Sequence, residues 1–255
     1  MSTEKKIRLQ AKQKLNGKWV LALAAVFTVF GALFAVYLVF SLFATIGTSL
    51  SPDGEVSLLS VGIVTFGALL TISAAVILMP VKNGFFRIFY NIANSKPAQY
   101  SDLFYYFKNG RYIKTLGFDL IMTLKKMLWA LICFWPYIAA SVMSYSDSSR
   151  ARLVFQSIFF ALGLAGYVLN TLKYFWTEFL YNDDDYIDIS TAFRVTGYVV
   201  KKRRGDIYML FCTFLPYMAL CFFVLPALYV LPYMLTSAAT SAKWLFKLYK
   251  DGKMI

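Results

Sequence analysis

The residues best equipped for chemistry stand in one run, Asp183-Asp184-Asp185-Tyr186-Ile187-Asp188. Asp184, Asp185 and Asp188 follow a D-D-x-x-D spacing. On a helix this puts carboxylates on one turn, where they can share a hard cation such as Mg2+ and through it a diphosphate. Chemistry of that kind normally draws on a second aspartate cluster, and the remaining acids, Glu4, Asp53, Glu55, Asp102, Asp119, Asp147, Glu178, Asp206 and Asp251, form none. The run therefore reads first as a solvated acidic loop and second as a metal candidate. The chain has no histidine, which removes the commonest general base and the commonest transition-metal ligand. Cys133, Cys212 and Cys221 fall singly inside apolar runs, so small buried side chains are expected and not a thiolate site or a disulfide framework. No nucleophile elbow, Walker loop, G-x-G-x-x-G or H-E-x-x-H occurs. The expectation is a protein without catalytic residues and without a cofactor.

A second charged knot, Lys201-Lys202-Arg203-Arg204, stands just before an apolar run that begins at Ile207. Four cations at the mouth of such a run mark the cytoplasmic side of a membrane, since basic loop residues are retained there. These four are also the candidate contacts for anionic headgroups. Of the 255 residues 59% are apolar and only 15% are charged, too few polar groups to cover a water-soluble fold. The net charge of +13 gathers at the edges of apolar runs and not on one basic, aromatic face, so nucleic acid is not an expected partner. The expected partners are the bilayer, its anionic inner-face headgroups, other membrane proteins or a second copy of the chain.

These charges must be positioned by helices. Residues 3–18 carry Lys5, Lys6, Arg8, Lys12, Lys14 and Lys18, with Ile7, Ala11 and Leu15 every fourth residue. That pattern predicts a basic amphipathic helix lying on an anionic leaflet and stopped by Asn16-Gly17. Spans are predicted at about 19–46, 58–80, 127–144, 153–176, 207–225 and 227–248, each long enough, or nearly so, for a hydrocarbon core of about 30 Å. The first run is too long for a cleaved signal. Inner loops are expected at 81–126 and 177–206, with the aromatic pieces GFFRIFY and DLFYYF as helices half sunk in the interface, and with Leu116–Leu124 interfacial ahead of a span from Met127 to Met143. In the first, Pro97 breaks the chain, Ser101 caps a short helix through Phe107 and Gly110 ends it. Leu225-Pro226 is the expected turn of the last hairpin. The fold class is an all-α, six-span membrane protein forming a single domain over 1–255. Both termini are cytoplasmic, and every cation except Arg150 and Arg152 lies inside. The expected location is the cytoplasmic membrane of a bacterium.

Within the spans a few residues stand out. Asp119 and Lys126 are seven apart on one helix face, at a span end where a charge costs little. That boundary position is the first reading; a local ion pair between them stays open, and a buried proton-relay carboxylate is the sharper reading of Asp119. Pro-Tyr recurs three times inside apolar runs, as Pro136-Tyr137, Pro216-Tyr217 and Pro232-Tyr233, marking kinks that pack closely or line a cavity. Gly67-Thr71-Ala75 and the notches Gly163 and Gly166 predict close helix contacts. Gly31 with Ala35 and Ser237 with Ser241 could serve contacts within the chain or between chains.

Several stretches resemble a family of uncharacterised integral membrane proteins common in Gram-positive bacteria: KIRLQAKQKLNGKW, GFFRIFYNIANSKPAQYSDLFYYFKNGRYIKTL and VLPYMLTSAATSAKWLF. The segment ISTAFRVTGYVVKKRRGDIYMLF is similar to that family's short amphipathic helix ending in a basic, glycine-containing corner before a last hairpin. The chain departs from the pattern at Pro136-Tyr137, where the family usually has Pro-Gly, and in extra apolar sequence around Leu153 to Trp176. The resemblance implies a polytopic membrane protein with no assigned reaction. The leading expectation is a non-enzymatic protein, transporter-like or a scaffold, handling lipids, amphipathic peptides or partner membrane proteins. The alternatives are a Mg-dependent enzyme acting on a lipid diphosphate through Asp184, Asp185 and Asp188, and an immunity or stress-response membrane protein.

Overall fold

The computed structural model describes residues 3–50, 57–108, 110–143, 150–183, 187–221 and 224–252. Among them the secondary structure is helical throughout. In chain order the helices are α1 (Thr3–Leu15), α2 (Trp19–Ser49), α3 (Leu58–Ala93), a 3-10 turn at Tyr100–Phe104, α4 (Tyr105–Lys108), α5 (Tyr112–Met143), α6 (Arg150–Tyr181), α7 (Ile189–Lys202), α8 (Arg204–Leu220) and α9 (Val224–Lys250). α2 pairs with α3 and α5 with α6 as two long hairpins, and α8 with α9 makes a short one. α9 is the hub, touching α1, α2, α3, α6, α7 and α8.

Small residues explain the close pairings. A Cβ on Gly67 would stand 2.3 Å from Phe43 Cβ of α2, and one on Gly163 would stand 2.8 Å from the Cys133 carbonyl of α5. Thr236, Ser237, Ala238, Ala239, Thr240, Ser241 and Ala242 are all buried in α9. Their hydroxyls return hydrogen bonds to Pro232, Tyr233, Thr236 and Ala238 carbonyls, so the polar atoms are satisfied inside the packing. Ser237 and Ser241 thus serve contacts within the chain, whereas Gly31 and Ala35 face outward.

Parts of the segments expected as inner loops contribute to the core. α3 runs through Pro80 to Ala93, and Ile88, Phe89, Tyr90 and Ile92 of its extension are buried. It ends at Asn94, with Ser95 in the left-handed region at φ 56°, ahead of Pro97. The short helix after Pro97 is capped by Gln99 and Asp102 reciprocally and not by Ser101, and Gly110 (φ +64°) closes it as expected. Leu116–Leu124 and Met127–Met143 form one continuous α5. α6 continues past Trp176 to Tyr181 and buries Phe179 and Leu180. These corrections share one cause: aromatic stretches such as GFFRIFY read as interfacial, but Phe85, Phe86, Phe175 and Phe179 pack edge-to-face on one another. The apolar stripe Ile7, Ala11 and Leu15 of α1 is also buried, against α3, α8 and α9, and not laid on a free leaflet.

The other half of the molecule is the reverse. Phe27, Phe30, Leu33, Phe34 and Tyr37 of α2, Leu131, Ile132 and Trp135 of α5, and Leu153, Val154 and Phe155 of α6 are exposed. Apolar faces of that extent need a partner that is not water. Among the described residues, Trp19–Ser49, Leu58–Ala93 and Leu153–Tyr181 are the helices long and apolar enough to cross a membrane. α8 has 17 residues, and the last hairpin breaks between Leu220 and Val224. Leu225 and Pro226 lie in the first turn of α9, where a proline has no helical N–H to forfeit.

Candidate functional site

Where the long hairpins enter the core, four charges meet. Lys82 of α3 lies 2.6 Å from Asp119 Oδ1 of α5 and 3.2 Å from Glu178 Oε1 of α6, and Lys126 of α5 lies 3.3 Å from the same Glu178 oxygen. Asn83 donates its amide N–H to Asp119 Oδ2. The two carboxylates are 1% and 4% exposed, while the lysines retain 36% and 33%. The acids are therefore interior, with each ammonium group held against them. Asn83 Oδ1 and Glu178 Oε2 are buried without a hydrogen-bond partner among the described residues.

Asp119 is thus buried and paired, but with Lys82 of another helix. The Asp119–Lys126 pair expected from their spacing does not form, because Glu178 takes Lys126. Sequence reading left Lys82, Asn83 and Glu178 unassigned, having placed all three at loop positions or just past a run's end. The signal was present for Glu178: it is the sole acid in the run YFWTEFLY.

Each lysine opens onto an apolar crevice. Lys82 stands beside Val29, Ala32, Val36, Ala75 and Leu78, which line a cavity of about 210 Å³ between α2 and α3. Lys126 edges a larger one of about 310 Å³, walled by Tyr167, Val168, Thr171, Leu172 and Phe175 of α6, Leu210, Phe211 and Phe214 of α8, and Met234 and Ala238 of α9. α8 touches α6 where the Tyr208 hydroxyl donates to the Leu169 carbonyl at 3.2 Å. The larger groove is the wedge between α6, α8 and α9.

Lys125 of α5 and Lys173 of α6 do not line the groove and sit instead on the aromatic cluster that holds Tyr174 and Phe193. Lys125 lies 3.7 Å over the Phe193 ring and Lys173 lies 5.4 Å from Trp129 and 5.0 Å from Tyr174. Among the described residues no carboxylate pairs with these two. The predicted quartet divides. Arg203 is engaged by Asp206 at 3.7 Å and by the Trp244 ring, and Lys201, Lys202 and Arg204 are exposed.

The Pro-Tyr pairs also divide. Pro136, Pro216 and Pro232 all lie within continuous helices. Tyr137 packs edge-on against Phe160. Tyr217 and Tyr233 instead turn their hydroxyls to Arg8 of α1, accepting from Nη2 and Nε at 3.1 Å each. Lys14 bonds the carbonyl of Ala93, so α1 ties α8 and α9 to the end of α3.

Of the acidic knot, Asp183 and Asp188 have separate partners. Asp184 and Asp185 lie outside the described residues. Asp188 caps α7, accepting from the Ser190 N–H and hydroxyl, which hold its carboxyl below the usual range. Asp183 accepts from Tyr90 at 2.6 Å and Lys250 at 2.8 Å. Among the described residues no three His, Cys, Asp or Glu side chains gather as a metal site.

The fold and these groups define an all-helical protein with long lipid-compatible hairpins on a tightly packed basic base. Residues 1–241 match the family model described as Protein of unknown function (DUF975), and the chain belongs to that family. No curated protein and no solved structure matches it.

Proposed function

We propose that this chain is a non-enzymatic, multi-pass membrane protein, transporter-like or a scaffold, that holds a lipid or similar amphiphile at the inner face of a bacterial cytoplasmic membrane. The observation that carries the reading is the wedge between α6, α8 and α9, about 310 Å³ of nearly all-apolar wall with Lys126 at its edge. Its size is that of a small-molecule site, and its walls suit a hydrocarbon chain. The exposed apolar faces of α2, α5 and α6 place lipid around it in this reading. The buried acids Asp119 and Glu178 are engaged by lysines.

Filling the wedge tests this. Thr171, half-buried on the α6 wall, changed to Trp should leave helicity and the size-exclusion profile unchanged. Native mass spectrometry after mild detergent extraction should then show loss of the lipid adduct that the wild-type protein retains. Equal retention by Thr171→Trp and wild type would overturn the reading.

A further inference from the structure

We infer that the wedge takes a single-chain amphiphile with one negative charge, of the fatty-acid class, and that Lys126 holds its carboxylate. This deepens the lipid-holding reading and rests on it. Lys126 is the charged residue among those lining the wedge. Two other polar groups of the wall are spent within the protein: the Thr171 hydroxyl donates to the Tyr167 carbonyl at 2.7 Å, and the Trp176 indole N–H donates to the Ser241 hydroxyl at 2.9 Å. An ammonium group has three N–H donors, and among the described residues Glu178 Oε1 takes one from Lys126. The same oxygen is held by Lys82, so Glu178 keeps a cation when Lys126 turns a donor to a ligand. Lys82 edges the smaller crevice but is committed to two carboxylates, Asp119 and Glu178. Lys126 is thus the member of the four-charge group that can be shared with a groove.

The place of that charge sets the ligand's orientation. The α6 wall runs from Tyr167 to Trp176, about 14 Å of helix. Glu178 follows just past Trp176, and the Lys126 ammonium is bound to it at 3.3 Å, so the charge stands at the Trp176 end. The Trp176–Ser241 bond ties α6 to α9 at the same end, about one turn past the wall residue Ala238. In the other direction α6 exposes Leu164, Leu162 and Phe160 beyond Tyr167, so the far end of the trough leads onto the open apolar surface. An apolar trough charged at one end complements a carboxylate with an attached chain. Its volume of about 310 Å³ stands at the lower limit of small-molecule sites, about 300–1,000 Å³. That suits one chain and not the paired chains of a phospholipid, and a single ammonium likewise matches a monoanion.

The test is photolabelling of the full-length protein in phosphatidylcholine nanodiscs by a long-chain fatty acid with a diazirine near its methyl end, at a pH that ionises the acid. Peptide mass spectrometry should place the label on the α6, α8 and α9 walls. Unlabelled fatty acid should compete about fivefold better than the fatty alcohol of the same chain, the factor that one basic residue contributes near a surface. In Lys126→Gln acid and alcohol should compete equally, and in Lys126→Arg the advantage should return, with helicity and size-exclusion profile unchanged in both. An advantage that survives in Lys126→Gln overturns the assignment, and so does one that is lost equally in Lys126→Arg. Phosphatidylglycerol competing better than the fatty acid overturns the single-chain class. If acid and alcohol compete equally on wild type while Thr171→Trp abolishes labelling, the carboxylate assignment fails and the lipid-holding reading survives. If Thr171→Trp labels as wild type does, both fail.

Discussion

Lys82 determines how two buried carboxylates are tolerated. It reaches both Asp119 and Glu178, so its removal leaves Asp119 as an uncompensated interior charge. Breaking a buried pair from one side costs about 3–5 kcal/mol, whereas replacing both partners by apolar groups of similar volume is often nearly neutral. Lys82→Met should therefore lower the thermal midpoint in detergent sharply, and Lys82→Met/Asp119→Leu should recover most of the loss. Equal destabilisation in both variants would mean that the pair contributes no coupling. A second carboxylate gives a pH signature. Burial raises the proton affinity of Asp183, but hydrogen bonds from Lys250 and Tyr90 outweigh it and hold the carboxyl below its ordinary range. A depressed carboxyl contributes stability that is full above its unfolded value, about 3.9, and is lost as pH falls through the folded one. The wild-type midpoint should accordingly fall more steeply than that of Asp183→Asn from about pH 5 downward. Parallel curves would remove this tie as a source of acid sensitivity. Asp119 and Lys126 were legible in sequence because they interrupt an apolar run. Lys82 and Glu178 were not, because their pairing spans three helices.

At the scale of helices, the length of α3 decides the architecture. Its extension past Pro80 brings Gly84 against the 3-10 turn, where an added Cβ would stand 2.1 Å from the Leu103 carbonyl oxygen. That atom is backbone and cannot swing aside. Gly84→Ala should cost about 1–3 kcal/mol through overpacking. Gly62 lies in the same helix with nothing within 4 Å, so Gly62→Ala should gain about 0.5–1 kcal/mol from backbone entropy. Thermal midpoints of the two variants should move in opposite directions; a shared sign would show that helix propensity and not the close approach governs both. Periodicity marked α1, the lengths of the apolar runs marked α2 and the outer parts of α3 and α6, and the family resemblance marked the basic corner between α7 and α8. Periodicity missed the buried extensions, since Phe85, Phe86 and Phe89 carry the same aromatic pattern whether they meet lipid or each other. The Pro-Tyr motifs were visible as special, but their roles were not: Arg8, more than 200 residues away in sequence, receives two of the three tyrosines.

For the whole molecule, the open question left by sequence is how far the last hairpin enters the bilayer. Charge counting favoured six crossings, because an even number returns Lys243, Lys247 and Lys250 to the side of the N-terminal lysines. A re-entrant hairpin preserves that parity. α8 has 17 residues, about 25 Å of helix, less than a hydrocarbon core of about 30 Å even if it stood upright. Tyr229, five residues into α9, stacks at 5.0 Å on Trp19, the first residue of α2. The hairpin tip is therefore only about two helical turns from the level at which α2 leaves the base. We propose that α2, α3 and α6 cross fully, that α5 crosses with them because it pairs with α6 as a hairpin, and that α8–α9 enters from the inner side and turns back within the bilayer. Cys221 at the tip reports on this directly, in a chain with Cys133→Ala and Cys212→Ala. A membrane-impermeant thiol reagent should fail to label it in intact cells and in inverted vesicles, yet label it after unfolding in denaturant. A reporter fused after the last residue should be active only inside. Labelling of Cys221 in intact cells would instead establish two further crossings, leaving both termini where the positive charges put them.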